Sequence, residues 1–206
     1  MTSKDFTFSR LLSYILHPLI IPTFATTILM FKQDLYPIVL PLPLILWFVG
    51  LILVFTFVLP AIGVLILLKF KALNSVQMNE RTERTVPLLI SSASYMALIW
   101  FLRPSNVPAV FLYVVYSATM ALLAGLLINM VHKISLHTLG WSALTATFIS
   151  ISIRTGMPLV SIICYTAIIA GFAGYARLKE NAHNPTQVYL GYASGAGMVL
   201  LISLLA

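Results

Sequence analysis

This sequence predicts an all-α fold, a polytopic bundle of six to seven transmembrane helices forming one domain over residues 1–206, and three observations predict it. Of the 206 residues, 60% are hydrophobic and only 8% are charged, and the mean hydropathy is +1.01. A soluble domain cannot cover itself with so little polarity. The apolar residues gather into runs separated by short polar breaks, and each run nearly matches or exceeds the roughly 17–25 helical residues that cross a hydrocarbon core of about 30 Å. The runs are 11–31, 44–68, 87–102, 107–131, 136–153, 157–175 and 186–206.

Taken in order, the first run follows Lys4 and Arg10 and is too long for the apolar core of a signal peptide, so it reads as a retained span. His17, before Pro18 inside it, reads as a packed or hydrogen-bonded residue, with a functional role as the minority alternative for an intramembrane ionisable group. Pro37, Pro41 and Pro43 predict an irregular start to the second run, and Pro60 a kink within it. Thr85-Val86-Pro87 reads as the opening of the third. Cys164, the one cysteine, reads as a small buried hydrophobe in the sixth run and excludes an internal disulfide. The last run carries Gly191 and Gly195 in a GxxxG pattern, a face that another helix can approach closely; the oligomeric state stays open, with room for a homo-oligomer.

The polar breaks fall into two sets. Lys32–Tyr36, Arg103–Asn106 and Arg154–Gly156 are short; Lys69–Val86, His132–Ser135 and Ala176–Pro185 are richer. Two spans separate each rich segment from the next, and two crossings return the chain to the side it left. All three rich segments therefore share one membrane face. That face carries Lys4, Arg10, Lys69, Lys71, Arg81, Arg84, Lys133, Arg177 and Lys179, against Lys32, Arg103 and Arg154 opposite. The positive-inside rule makes the rich face cytoplasmic, in a bacterial inner membrane, but setting aside Arg81, Arg84, Lys133, Arg177 and Lys179 as candidates for chemistry leaves only four against three. The net charge of +7 speaks for topology and anionic membrane lipids as partners, not nucleic acid, since no basic stripe is interleaved with aromatics.

Each rich segment ends where a span begins. Asn184-Pro185-Thr186-Gln187 has an N-cap residue, proline at the first helical position and an amide at the third, close to a capping box. Ser135 can cap the helix that contains His137 and Thr138. With the Pro87 start, three helix N-termini converge on one face, where their unpaired N–H groups favour anions. Arg81 and Arg84 share a helical face and, with Arg177, supply forked donors matched to phosphate oxygens, while Lys133 adds a point charge. His137 and His183 are the proton carriers or nucleophiles of this set. Taken singly, basic loops are more simply topogenic, Glu80 with Arg84 is an ordinary i,i+4 pair on a solvated face, Lys179 and Glu180 read as exposed, and His132 as interfacial.

Arg177-Leu-Lys-Glu-Asn-Ala-His183-Asn-Pro-Thr-Gln187-Val-Tyr-Leu-Gly191-Tyr-Ala-Ser-Gly195 resembles the third signature of the type 2 phosphatidic acid phosphatase superfamily, SRxxxxxHxxxD continuing as DVxxGxxxG. Lys133-Ile-Ser135-Leu-His137-Thr138 resembles the second, PSGH followed by Thr, and Asn79–Pro87 keeps arginines and a proline of the first, KxxxxxxRP. The likeness covers about residues 75–197. It implies a metal-independent hydrolase, without cofactor, acting on a lipid phosphate or prenyl diphosphate. His183 would attack phosphorus, His137 would protonate the leaving oxygen, and Arg177, Ser135, the amide near Leu136 and Arg81 or Arg84 would hold the phosphoryl oxygens.

Four positions depart from the pattern: Ala176 for Ser, Gln187 for Asp, and Ile134 and Leu136 for the Pro and Gly of the second signature. Gln187 can accept the His183 N–H and fix its tautomer, but it brings no charge for an imidazolium. In the serine-protease triad the comparable Asp→Asn change costs about 10⁴ in rate. The sequence therefore leaves three outcomes: Glu180 or Glu83 substitutes, turnover is slow, or the scaffold binds or transports lipid phosphate without hydrolysing it. A prenyltransferase needs Asp-rich magnesium motifs, and Asp5 and Asp34 lie far from the rich segments.

Overall fold

The computed structural model describes residues 8–31, 41–78, 80–104 and 107–205. Seven segments are long and apolar enough to cross a membrane, so the chain is an integral membrane protein built as an all-α bundle. The first span is α1 (Phe8–Ile15), a 3₁₀ turn (Pro18–Ile20) and α2 (Ile21–Phe31); the second is α3 (Leu42–Leu53), a π-helical turn (Val54–Val58) and α4 (Leu59–Lys69). The others are single helices: α5 (Arg81–Leu102), α6 (Ala109–Val131), α7 (Leu136–Thr155), α8 (Val160–Lys179) and α9 (Pro185–Leu205).

The two interrupted spans show what proline does where water cannot satisfy the backbone. Pro18 disfavours the helical conformation at His17, which is extended (φ −61°, ψ 131°). The carbonyls of Ser13 and Leu16, released from the helical ladder, instead accept from His137 Nε2 (3.0 Å) and Trp141 Nε1 (3.0 Å) on α7. In the second span, Pro60 has no N–H for the Thr56 carbonyl. The preceding turn widens to π geometry, with Leu59 N–H bonding to the Val54 carbonyl. Ser94 Oγ donates to the released Phe55 carbonyl (2.5 Å) and Tyr95 Oη to that of Thr56 (3.4 Å). The kink expected at Pro60 is thus a π-bulge, held by side chains of α5.

α7 is the axis of the bundle, its flank buried by α8 and α9. The α7–α9 contact depends on the GxxxG pair: a Cβ on Gly195 would stand 2.1 Å from the Leu139 carbonyl oxygen, and one on Gly191 2.1 Å from Thr138 Oγ1. At this close approach Thr138 Oγ1 donates to the Val188 carbonyl (3.1 Å). The apolar core includes Phe48, Phe111, Leu144 and Phe148, while Trp100, Ile153 and Leu204 face outward where lipid replaces water.

Three expectations need correction. The third span opens at Arg81, not Pro87; Glu80 precedes it without a side-chain cap, and Pro87 lies inside the helix. Only two capped helix N-termini therefore flank the site. Cys164 is exposed on the outer face of α8 and is not a buried hydrophobe. Glu180 is half-buried and accepts a hydrogen bond from Ser9 Oγ, with Arg10 Nε 3.8 Å from its other oxygen. Pro37, Asn79, Asn106 and the Lys32–Tyr36 break fall outside the described residues.

Candidate functional site

The three rich polar segments meet at one end of the bundle. Arg84 Nη1 donates to the Ile134 carbonyl (3.1 Å), and the Ser135 N–H donates to the Gln187 carbonyl (3.2 Å). These bonds join residues far apart in sequence, across the starts of α5, α7 and α9.

The turn between α8 and α9 builds the core of the site. Asn181 adopts a left-handed conformation (φ 50°), which asparagine tolerates better than most residues. The chain then reverses so tightly that the N–H groups of Ala182 (3.1 Å) and His183 (3.3 Å) both donate to the Arg177 carbonyl. The six-residue spacing between Arg177 and His183 is thus a closed turn that holds the two side chains together. Asn184 Oδ1 accepts from the Gln187 N–H (2.9 Å) and caps α9, as the sequence predicts. The Gln187 side chain does not complete a capping box; its Oε1 lies 2.8 Å from His183 Nδ1. An amide oxygen there requires the proton on Nδ1, so the Nε2 lone pair is free. His183 is 7% exposed. Burial, followed by the charges of Arg84, Arg177 and Lys133, outweighs the Gln187 hydrogen bond and lowers its pKa from 6.5 to about 3. It is a neutral imidazole near pH 7.

Arg84 is also 7% exposed. Its Nε donates to the Met78 carbonyl (2.8 Å) and Nη1 to that of Ile134, fixing the guanidinium plane and leaving the Nη2 donors for a ligand. Arg177 Nε is buried without a hydrogen-bond partner, and so is Ser13 Oγ. Both line the same cavity as Arg84, His137 and His183. A buried guanidinium N–H without an acceptor is costly, and a phosphoryl oxygen would satisfy it. Lys133 is half-buried beside this group; burial, then Arg84, lowers its pKa.

The cavity has a volume of about 1010 Å³. From its cationic mouth it runs between the helices past Leu88, Tyr95, Ala121, Leu144 and Thr147. Arg84 to Tyr95 along α5 spans about 16 Å at 1.5 Å per residue, or roughly half a hydrocarbon core. The lining is thus polar at one end and mainly apolar beyond, suited to an anionic head with an attached chain.

His137 is half-buried on the first turn of α7. Its Nε2 must be the donor to the Ser13 carbonyl, so any proton exchange with a ligand goes through Nδ1. Ser135 is fully buried and caps α7 through Thr138 N–H (3.4 Å); it positions His137 but does not line the cavity. Arg81 is exposed and bonds to the Met130 carbonyl, away from the cavity. Neither candidate carboxylate is on the His183 ring: Glu83 accepts from Asn74 Nδ2 (2.7 Å), and Glu180 is held by Ser9 and Arg10. Gln187 occupies that position itself. Among the described residues, no group of three His, Cys, Asp or Glu side chains could hold a metal ion.

Residues of the first span also line the cavity: Arg10, Ser13, Tyr14 and His17. The signal available in the sequence was His17-Pro18, an ionisable residue at a helix break inside an apolar run. Compared with models of protein families, with curated proteins and with solved structures, the chain matches none.

Proposed function

We propose that this protein is an integral-membrane phosphatase of a lipid phosphate or prenyl diphosphate, acting through a phosphohistidine, in a bacterial inner membrane. The observation that carries this reading is Arg177 Nε, buried and without an acceptor, in the same cavity as a neutral imidazole whose Nδ1 is engaged by Gln187. Arg177 and Arg84 hold the phosphoryl oxygens, and the apolar depth of the cavity takes the start of the lipid chain. His183 Nε2 gives its lone pair to phosphorus as the bond to the leaving oxygen breaks. The electron pair of that bond stays on the oxygen, which takes the Nδ1 proton of a His137 that enters the step as an imidazolium and keeps its Nε2–H on the Ser13 carbonyl. Water then attacks phosphorus, His137 Nδ1 recovers a proton from it, and the P–N bond returns its electrons to His183. The resemblance to the type 2 phosphatidic acid phosphatase signatures at Arg177, His183, Gly191 and Gly195 supports the same roles.

The test is phosphate release from phosphatidic acid and from prenyl diphosphates by purified protein in lipid, with acid-labile, alkali-stable phosphate on the chain as a second readout. His183→Ala abolishes both. Release that survives this substitution removes the nucleophile and the reading with it. A second reading, a non-hydrolytic lipid-phosphate binder or transporter, is favoured by the uncharged Gln187 on His183. Saturable binding of phosphatidic acid without release, in the wild type and in Gln187→Asp alike, would establish it instead.

A further inference from the structure

We infer that the first span builds a second anion subsite, from Ser13 and Arg10, on the leaving-group side of the cavity, and that this subsite selects a lipid diphosphate over a lipid monophosphate; the inference rests on the phosphatase reading. Ser13 is 8% exposed, and its Oγ is buried with no hydrogen-bond partner. Inside a span such a hydroxyl most simply bonds to the carbonyl four residues back, as Thr26 and Thr27 do on α2. Ser13 does not, and it lines the cavity. A buried hydroxyl left unpaired is costly, and an anionic ligand oxygen would remove that cost. Arg10 and Ser13 lie three residues apart on α1, so they share a face, and Arg10 lines the cavity as well. Its Nε stands 3.8 Å from a Glu180 oxygen, an ion pair too long for a hydrogen bond, so that pairing leaves the guanidinium donors to a ligand.

Ser13 also fixes where this subsite lies. Its carbonyl accepts the His137 Nε2–H (3.0 Å), so its hydroxyl stands beside His137. In an in-line displacement the nucleophile and the leaving oxygen are on opposite sides of phosphorus. In the proposed reaction His183 takes one side and His137 the other. Arg84 and Arg177 hold the transferred phosphoryl group, and Ser13 and Arg10 meet whatever is attached to the leaving oxygen. A simple alkyl phosphate presents carbon there, which gives a hydroxyl and a guanidinium nothing to bind. A diphosphate presents a second phosphoryl group with anionic oxygens. As the bond from His183 Nε2 to phosphorus forms, the bond from phosphorus to the bridging oxygen breaks. Its electron pair stays on that oxygen, which takes the His137 proton and departs as part of the lipid monophosphate. Ser13 and Arg10 donate hydrogen bonds to the departing group and keep their own protons.

The experiment measures initial phosphate release by purified protein in lipid from farnesyl diphosphate and from farnesyl monophosphate, which share one chain. The wild type has a kcat/KM at least about tenfold higher for the diphosphate, the margin of one hydrogen bond to a charged group. Ser13→Ala removes the hydroxyl and keeps the backbone carbonyl on His137. In this variant kcat/KM for the diphosphate falls by about 10- to 100-fold, and the preference over the monophosphate shrinks by at least about tenfold. Arg10→Gln, which removes the charge and leaves Ser13 in place, shrinks the preference in the same direction by at least about fivefold, and decides the matter alone if Ser13→Ala does not fold. Equal losses on the two substrates place these side chains on the transferred phosphoryl group, and no loss places them outside the site; either result overturns the subsite and leaves the phosphatase reading intact. A wild type that favours the monophosphate overturns the subsite as well. Release from neither substrate, nor from phosphatidic acid, overturns the phosphatase reading and this inference together.

Discussion

Replacing Gln187 by Glu changes one atom and tests how a histidine works without a carboxylate behind it. Gln187 Oε1 is 2.8 Å from His183 Nδ1, and glutamate can occupy the same position because the two side chains have the same length. A carboxylate whose charge lies about 4 Å from the ring interacts with an imidazolium by about 4 kcal/mol at an effective dielectric constant near 20. That equals about three pH units. As Nε2 bonds to phosphorus the ring gains positive charge, so the carboxylate stabilises the transition state more than the neutral ground state. A rise in kcat of about 10²- to 10³-fold follows if most of the interaction is realised there. The negative charge also opposes the anionic substrate in a pocket built from Arg84, Arg177 and Lys133, so KM rises. The pH profile moves with a definite sign. In the proposed reaction His183 attacks only when neutral, and its pKa in the wild type is about 3, so the acid limb lies below the working range. In Gln187→Glu the pKa rises and the limb moves up to about pH 6, with the rate falling as pH drops through it. Steady-state phosphate release from phosphatidic acid between pH 4 and pH 8 measures all three effects. Unchanged or lower kcat in a folded Gln187→Glu protein, with no shift of the acid limb, would refute the placement of His183 as nucleophile with Gln187 as its partner.

Other predictions follow from the same contacts. Arg177→Lys keeps the charge but loses the fork, and with it at least one charged hydrogen bond of about 1.5–3 kcal/mol; kcat/KM for phosphatidic acid falls by about 10- to 100-fold, measured by phosphate release. Gly195→Ala places a Cβ 2.1 Å from the Leu139 carbonyl oxygen and 2.4 Å from Ser142 Oγ; separating α9 from α7 costs at least about 1–3 kcal/mol and lowers the unfolding temperature in detergent, whereas Gly197→Ala, with no atom within 4 Å of the added carbon, does not. Stability without ligand is fully retained above about pH 6.5 and falls below it, by about 1.4 kcal/mol per pH unit at most, down to the folded pKa of about 3. The sign follows from linkage, since the unfolded chain binds a proton at His183 over that interval and the native one does not. His183→Asn lacks this component, so a difference in acid sensitivity between the two proteins in thermal unfolding is the measurement.

How much of this was legible in the sequence depended on whether the determining interaction was local. The spans were legible because a bilayer demands long apolar helices whatever their packing, and the shared face of the polar segments followed from parity alone. The caps at Ser135 and Asn184 could also be read, since a cap bonds a residue two or three places on. The start of α5 could not: Pro87 looks like a boundary, but a proline inside a helix removes only its own N–H and the bond to Glu83, near the wet end of the span. Arg84 and Arg81 are indistinguishable as letters three apart. They separate only in space, where Arg84 reaches the Ile134 carbonyl 50 residues away and Arg81 turns outward to Met130. Glu180 reads as solvated because its partners, Ser9 and Arg10, lie at the other end of the chain.

The first span shows the same division within one dipeptide. His17-Pro18 declares a break, and the break can be derived from the proline ring. What it releases is a pair of backbone carbonyls, and their partners His137 and Trp141 sit 124 and 125 residues later. No local pattern could announce that pairing. Yet it sets the proton inventory of the cavity, because the Ser13 carbonyl can only accept and so holds a proton on His137 Nε2, just as Gln187 holds one on His183 Nδ1. Two neutral acceptors, one backbone and one side chain, leave opposite nitrogens of the two imidazoles free. Among the described residues no carboxylate bonds to either ring, so no fixed negative charge stands there to repel an anionic ligand or to stabilise an imidazolium. In the proposed phosphatase, tight binding and slow chemistry have a common cause.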